Sequence, residues 1–230
     1  MPAGDLETKA AIVGWAHSPF GKLEDADTEA LMSRVAGAAI EHAGLAPSDV
    51  DSIHVGVFNA GFQKQDFQGA LPALSVPELA HTPAVRVENA CATGSAAIHS
   101  ALNYIASGQG RIALVVGAEK MTAKPTAEVG DILLNASYRK EEADIDGGFA
   151  GVFGRIAQAY FQRYGDRSEE LARIAAKNHK NGVSNPYAQM RKDFGFEFCN
   201  TISEKNPYVA GPLRRTDCSL VSDGAAALVI

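Results

Sequence analysis

Apolar runs rich in branched residues alternate along the chain with alanine-rich segments of helical periodicity. Short apolar runs bounded by turn residues predict buried strands, and apolar residues recurring every three or four positions predict helices that face a core. The predicted strands are Ala10–Trp15, Ile53–Phe58, Ala84–Val87, Ile112–Gly117 and Ala225–Ile230. The predicted helices are Thr28–Ala43, Ala92–Ser107, Ala150–Tyr164 and Ser168–Asn181. This order predicts an α/β layered fold in which helices cover a central sheet.

The alternation of strands and helices breaks after residue 117. Ile112–Gly117 is apolar on both faces, which suits the centre of a parallel sheet with right-handed crossovers. The next hundred residues hold two predicted helices and turn-rich stretches such as Asp146-Gly147-Gly148, and the last strand follows only at the end. We therefore predict an α/β domain made of residues 1–117 and 216–230, with residues 118–215 inserted into it.

Composition and charge narrow the function classes. Hydrophobic residues make up 46% of the chain and charged residues 21%, which is typical of a globular protein. The net charge of -6 and the lack of a Lys/Arg run argue against nucleic-acid binding. No stretch approaches the roughly 18 apolar residues of a membrane span, and the acidic N-terminus does not resemble a secretory signal.

The cysteines indicate a reducing compartment. The three cysteines form no CxxC pair and show no Cys/His spacing typical of a metal site, so we expect no bound metal. The low, odd count favours a cytoplasmic location, with organelle import left open.

The most informative segment is VRVENACATG, which runs from Val85 to Gly94. A strand is predicted to end near Glu88 and a helix to begin at or just after Cys91. A thiol at a helix start meets the positive end of the helix dipole and unpaired backbone N–H groups, which favour the thiolate and can stabilise an oxyanion. A lone cysteine is more often a small buried hydrophobe. Cys91 is nevertheless the candidate nucleophile, and Glu88 would oppose its thiolate if the carboxylate pointed towards the sulfur.

Other polar residues have structural interpretations that compete with functional ones. We expect Cys199 and Cys218 to be structural, and Asp223 to lie in a turn before the last strand rather than to act as an acid. His99 lies about 12 Å along the helix from Cys91, too far to activate the sulfur. His179 fits helix-end packing better than substrate contact. Arg214 and Arg215 suit either a phosphate of a ligand or a solvated turn.

Four segments in order resemble the thiolase family. VENACATGSAAIHSAL is similar to the acyl-enzyme cysteine signature, with Val87 four residues before Cys91, and RIALVVGAEKMT resembles the strand that follows it. AAKNHKNGVSNPYAQ and TDCSLVSDGAAALVI resemble segments of sterol-carrier-protein-type thiolases. The sequence departs from the family at Glu88, where Asn or Ser is more common.

The resemblance implies the N-terminal half of an enzyme built from two βαβαβαββ halves, with residues 118–215 as the loop domain that helps to cover coenzyme A. It implies acyl transfer to and from coenzyme A through a thioester on Cys91, with acyl-CoA and coenzyme A as substrates and no permanently bound cofactor. A second cysteine and histidines would come from a C-terminal domain that these residues do not include. The family also implies a homodimer or homotetramer.

Two other functions remain open from the sequence. One is a ketosynthase or retro-aldol lyase on the same fold, although ENACATG is unlike most ketosynthase sites and lyase relatives can lack the cysteine. The other is a non-catalytic lipid-binding or scaffold subunit. The segment around Cys91 favours the acyltransferase.

Overall fold

The computed structural model describes residues 10–230, which divide into two compact units. The sheet unit comprises the described residues up to Ser18, Lys22–Lys120 and Asp223–Ile230. The insertion unit comprises Pro19–Gly21 and Met121–Ser222. No helix of the described residues is both long enough and apolar enough to cross a membrane.

Seven strands and eight α-helices form within these residues. The strands are β1 Gly14–His17, β2 Ser52–Gly56, β3 Ala84–Val87, β4 Ala113–Glu119, β5 Tyr208–Ala210, β6 Leu213–Arg214 and β7 Gly224–Val229. The helices are α1 Thr28–His42, α2 Pro72–Ser75, α3 Thr93–Ala106, α4 Thr126–Leu133, α5 Arg139–Glu142, α6 Gly148–Tyr164, α7 Ser168–Ser184 and α8 Gly195–Asn200.

The sheet unit is built on a mixed five-stranded sheet in the order β1-β7-β4-β2-β3. Strands β3, β2 and β4 are parallel, whereas β7 is antiparallel to both β4 and β1. Gly56 at the end of β2 lies opposite Val87 of β3 on one side and Gly117 of β4 on the other. The carboxyl ends of the three parallel strands therefore meet at one edge, where α/β folds commonly place their sites.

Helix α1 and helix α3 cover opposite faces of this sheet. The Asp27 carboxylate accepts a hydrogen bond of 2.9 Å from the Ala30 N–H and caps α1. The chain leaves the helix through Gly44, whose φ of 69° suits glycine. The core beneath α1 is made of apolar side chains from α1, β2, β4 and β7, among them Leu31, Val35, Val55, Leu114, Val116 and Val229.

Strand β1 packs against α1 so closely that a glycine is required. A methyl group on Gly14 would lie 2.4 Å from the Ala39 carbonyl oxygen and 2.7 Å from the Ala43 Cβ. We expect Gly14→Ala to lower the free energy of unfolding by about 1–3 kcal/mol, since the clash is with helix backbone. Gly130→Ala is the control: no atom lies within 4 Å of that Cβ, so it should stabilise α4 by about 0.5–1 kcal/mol. Urea denaturation measures both, and a neutral Gly14→Ala would contradict this packing.

The insertion unit holds helices α4 to α8 and the β5–β6 hairpin. The predicted helices Ala150–Tyr164 and Ser168–Asn181 correspond to α6 and α7. The prediction missed α4, α5 and α8, which have eight residues or fewer. Short helices depend on tertiary packing rather than on their own periodicity.

Buried polar side chains brace the end of the insertion unit. Arg214 is buried and donates to the Asp217 carboxylate, to the Asn200 side-chain oxygen at 3.1 Å and to the Ser168 carbonyl. The sequence-based interpretations of Arg214 as a phosphate contact or part of a solvated turn are therefore both wrong. Its guanidinium is already satisfied inside the unit, so Arg215 is the exposed member of this pair.

An ion pair joins the two points where the chain leaves and re-enters the sheet unit. Lys120 Nζ lies 2.8 Å from the Asp223 carboxylate, and both side chains are buried. The same Lys120 amine donates to the Leu23 carbonyl at 2.7 Å, and Asp223 accepts from the Leu23 N–H at 3.1 Å. Asp223 directly precedes β7, and its side chain is the buried charge partner of Lys120. We call this arrangement the insertion clip.

Candidate active site

Cys91 lies in a short 3-10 turn between β3 and α3, and its side chain is exposed. Ala90 immediately before it has a φ of 45°, in the left-handed region that side-chain-bearing residues rarely adopt. Such backbone costs on the order of 1–3 kcal/mol and persists only where neighbouring contacts enforce it. Cys91 is the second residue of this turn, and N–H groups at the start of a helical segment have no acceptor within the segment itself.

Thr93 provides the contacts that enforce this turn. Its side-chain oxygen accepts a hydrogen bond of 2.8 Å from the Asn89 N–H and donates one of 2.6 Å to the Ala90 carbonyl. Thr93 is buried at the first position of α3, with Ala97 and Ala101 following on the same face. The hydroxyl therefore ties the strand exit to the helix start on either side of Cys91.

Glu88 does not leave its carboxylate unpartnered near the thiol. Its side-chain oxygen accepts a hydrogen bond from the Ala90 N–H, two residues along the chain. The carboxylate of Glu88, at a position where the resemblance leads one to expect Asn or Ser, is thus bound by the backbone of the turn.

A partly buried acid lies at the same edge of the sheet. Glu119 ends β4, and its carboxylate accepts hydrogen bonds from the N–H groups of Phe58, at 3.0 Å, and Asn59, at 3.1 Å. Burial raises the pKa of Glu119 to about 7, although the two N–H groups and the Arg86 charge partly oppose this. An acid that titrates near neutral pH is typical of functional sites.

The other two thiols are less accessible than Cys91. Cys199 is fully buried and Cys218 is intermediate, and burial raises the pKa of both thiols. Because the thiolate is the reactive form, we expect limiting iodoacetamide to label Cys91 first, then Cys218, with Cys199 last. Peptide mapping of the folded chain measures the order, and preferential labelling of Cys199 would contradict it.

The histidines make contacts that do not involve Cys91. His54 is buried in β2, where its ring nitrogens lie 2.9 Å from the Ser100 hydroxyl and 3.2 Å from the Ser52 hydroxyl, and burial lowers its pKa. His179 packs edge-on against the Phe194 ring. In the described residues, no hydrogen bond joins a histidine to Cys91.

Comparison with known proteins decides the family. The family model for the thiolase N-terminal domain matches residues 10–196, which is most of the chain. The chain belongs to the thiolase family. The segment matched includes the β3–Cys91–α3 turn and β4, so the site described above lies within the family domain.

Relatives of this thiolase-family chain include enzymes of acyl-CoA chemistry. It is 35% identical to the acetyl-CoA acetyltransferase of Methanothermobacter thermautotrophicus, an alignment that covers 96% of this chain and 56% of the relative. It is 29% identical to a benzoylsuccinyl-CoA thiolase subunit of Thauera aromatica, over 98% of this chain and 56% of that protein. The chain thus spans about half the length of these curated relatives.

Solved structures support the fold. Human mitochondrial 3-ketoacyl-CoA thiolase in complex with CoA matches with a TM-score of 0.70 and 17% identity, covering 95% of this chain and 63% of that one. An Ltp2–ChsH2(DUF35) aldolase matches with a TM-score of 0.69 and 24% identity, covering 95% and 54%. These likenesses establish a thiolase-like α/β fold, as the sequence predicted.

The sequence-based interpretation named Cys91 as a candidate but did not include Glu119, Thr93 or the pairing of Lys120 with Asp223. One signal for Glu119 was available, because a carboxylate ends the otherwise apolar run IALVVGAE. A charge at the end of a buried strand requires a partner, and that partner is backbone from a distant segment.

Proposed function

We propose that this chain forms the acyl-enzyme half of an acyl-CoA acyltransferase of the thiolase type. The observation that carries the proposal is Cys91, exposed at the start of α3 in a strained turn within a thiolase domain. The relatives named acetyl-CoA acetyltransferase support the same reaction class.

The geometry suits nucleophilic attack on a thioester. The Cys91 thiolate attacks the carbonyl carbon, a new S–C bond forms, and the carbonyl π electrons move to oxygen. Backbone N–H groups at the start of α3, that of Cys91 among them, can donate to the developing oxyanion. Collapse breaks the bond from carbon to the coenzyme A sulfur, which leaves as a thiolate, and Cys91 retains the acyl group.

The proposed substrates are acyl-CoA and coenzyme A, with no permanently bound cofactor. The second half-reaction needs a general acid or base for the incoming thiol or carbon nucleophile. We propose that a C-terminal half like those of the longer relatives supplies it.

We also propose a homodimer or homotetramer. In the described part of the chain, β3 pairs only with β2, so its other edge is open. Val85 on that strand and Phe67 in the preceding loop are exposed, with 42% and 82% of their surface accessible. Open strand edges with apolar neighbours favour association with another chain.

The test of the acyltransferase is capture of the acyl group. The chain is incubated with acetyl-CoA labelled in the acetyl group, quenched in acid and mapped for a thioester. We expect label on Cys91, none in Cys91→Ala, and unchanged labelling in the matched control Cys218→Ser. An intact chain that carries no acetyl group on Cys91 would exclude the acyltransferase and favour a scaffold subunit.

A further inference from the structure

The carboxylate of Glu119 holds the backbone that leaves β2. We call residues 57–60 the exit segment. Asn59 and Ala60 within it have φ values of 52° and 46°, two consecutive left-handed residues that carry side chains. The N–H groups of Phe58 and Asn59 converge on the Glu119 oxygens at 3.0 and 3.1 Å. Strained backbone of this kind is retained where surrounding groups over-determine it, commonly at functional sites.

Arg86 of β3 holds the same segment through its carbonyl groups. Its Nε donates to the Val57 carbonyl at 3.3 Å and its Nη2 to the Phe58 carbonyl at 3.1 Å. A carboxylate therefore binds the N–H groups of the exit segment while a guanidinium binds its carbonyl groups. Charge-assisted hydrogen bonds of this kind are about twice as strong as neutral ones.

The exit segment is joined to the cysteine turn through Gly56. Gly56 is the last residue of β2 and directly precedes the exit segment. A methyl group on Gly56 would lie 3.1 Å from the Thr93 Cγ2, 3.2 Å from the Thr93 carbonyl oxygen and 3.3 Å from the Ala97 Cβ. The start of α3 thus rests directly on the end of β2. Thr93 is in turn the residue whose hydroxyl fixes Asn89 and Ala90 beside Cys91.

We propose that Glu119 is a positioning residue for Cys91: by fixing the exit segment and Gly56 beneath Thr93, it holds the turn that sets the orientation of the Cys91 N–H. This inference rests on the proposed function, because it matters only if Cys91 attacks a carbonyl. Glu119 does not contact the substrate in this role. It acts through the β2 backbone.

The ionised form of Glu119 is the one that holds the segment well, since a carboxylate accepts N–H bonds more strongly than a carboxylic acid does. The charged group that acts on it is Arg86, which also forms an ion pair with Asp66, while the next residue, Lys120, is paired with Asp223. The Arg86 charge favours the carboxylate, whereas burial raises the pKa of Glu119 to about 7. Glu119 should therefore bind the exit segment less tightly as the pH falls below about 7.

The experiment compares two reactions of the same sulfur. p-Nitrophenyl acetate acetylates Cys91 by attack on a carbonyl: the S–C bond forms, the ester C–O bond breaks and p-nitrophenolate leaves with the electron pair. Iodoacetamide alkylates Cys91 by displacement of iodide and forms no oxyanion. Both are followed by mass spectrometry of the Cys91 peptide. The ratio of the two rates cancels the titration of the thiol and reports the oxyanion geometry alone.

We expect Glu119→Gln to lower the acetylation-to-alkylation ratio at pH 8 by about tenfold or more. Loss of one oxyanion donor typically lowers rates by about 10²–10³, and here the donor is displaced rather than removed. Glu128→Gln, which alters an exposed acid paired with Lys124, is the matched control and should leave the ratio unchanged. A general loosening of the fold would change both reactions of Cys91 together. An unchanged ratio in folded Glu119→Gln would overturn the proposal.

The wild-type chain gives a second test that does not depend on a variant folding. Its ratio should fall below an inflection near pH 7, and a flat ratio from pH 5 to 9 would equally refute the role of Glu119. The acetyl-CoA labelling described above is a separate measurement. If Cys91 takes no acetyl group from acetyl-CoA while the ratio still responds to Glu119→Gln, the proposed function fails and the positioning role stands.

Discussion

Asp223→Asn is expected to lower the free energy of unfolding of the chain by about 3–5 kcal/mol, the usual penalty for leaving one member of a buried ion pair uncompensated. Asn has nearly the same shape as Asp, and its oxygen can still accept the Leu23 N–H. The loss is therefore electrostatic, because the Lys120 ammonium stays buried without its carboxylate. Urea denaturation followed by circular dichroism measures it.

Two controls separate burial from charge in this experiment. Glu128→Gln breaks the exposed Lys124–Glu128 pair and should change stability by no more than about 0.5 kcal/mol. The double variant Lys120→Met with Asp223→Asn removes both buried charges. Its loss of stability should be smaller than the sum of the losses in the two single variants by about 0.5–3 kcal/mol. Additive effects would mean that the clip residues do not interact.

The stability of the chain should decline between pH 4.5 and about 7 because of Glu119. The folded-state pKa of Glu119 is raised from 4.5 to about 7, so the folded chain binds the proton more tightly than the unfolded chain does. The resulting stabilisation is complete below pH 4.5 and is lost as the pH rises through 7. A tenfold change in proton affinity is worth about 1.4 kcal/mol, so the expected loss is about 3 kcal/mol.

Glu119→Gln removes this titration and is the control. From pH 4.5 to 8, the unfolding free energy of the wild-type chain should fall relative to that of Glu119→Gln. Denaturation curves at each pH provide the measurement, and a constant difference would show that Glu119 ionises normally. The carboxylate that best holds the exit segment is also the less stable form, a trade-off common at functional sites.

The elements that the sequence predicted best are those with local signals at both ends. Ala84–Val87 has the predicted bounds, and α3 and α1 lie within one residue of theirs at either end. The first strand was predicted at Ala10–Trp15 but lies at Gly14–His17, since its bounds follow from pairing with β7 rather than from its own apolar run. The antiparallel placement of β7 likewise depends on distant pairing.

The residues of the candidate site also differ in whether local sequence signals could point to them. Cys91 could be proposed from the sequence because its strand, turn and helix signals occupy one continuous segment. Glu119 could not be assigned a role, because its hydrogen-bond partners lie 60 and 61 residues away along the chain. Thr93 forms its bonds locally, but a threonine near a helix start has many ordinary roles.

The insertion clip has a consequence for how much the insertion unit of this chain can change. Lys120 and Asp223 fix the two points where the insertion unit departs and returns, independently of what lies between them. The entropy of closing a flexible loop grows only with the logarithm of its length, so doubling a flexible connection within the insert costs about 0.6 kcal/mol. Evolution could therefore lengthen, shorten or exchange this segment while the sheet beneath it keeps its register. The clip would keep the two ends of the insertion unit in place while the segment between them changes.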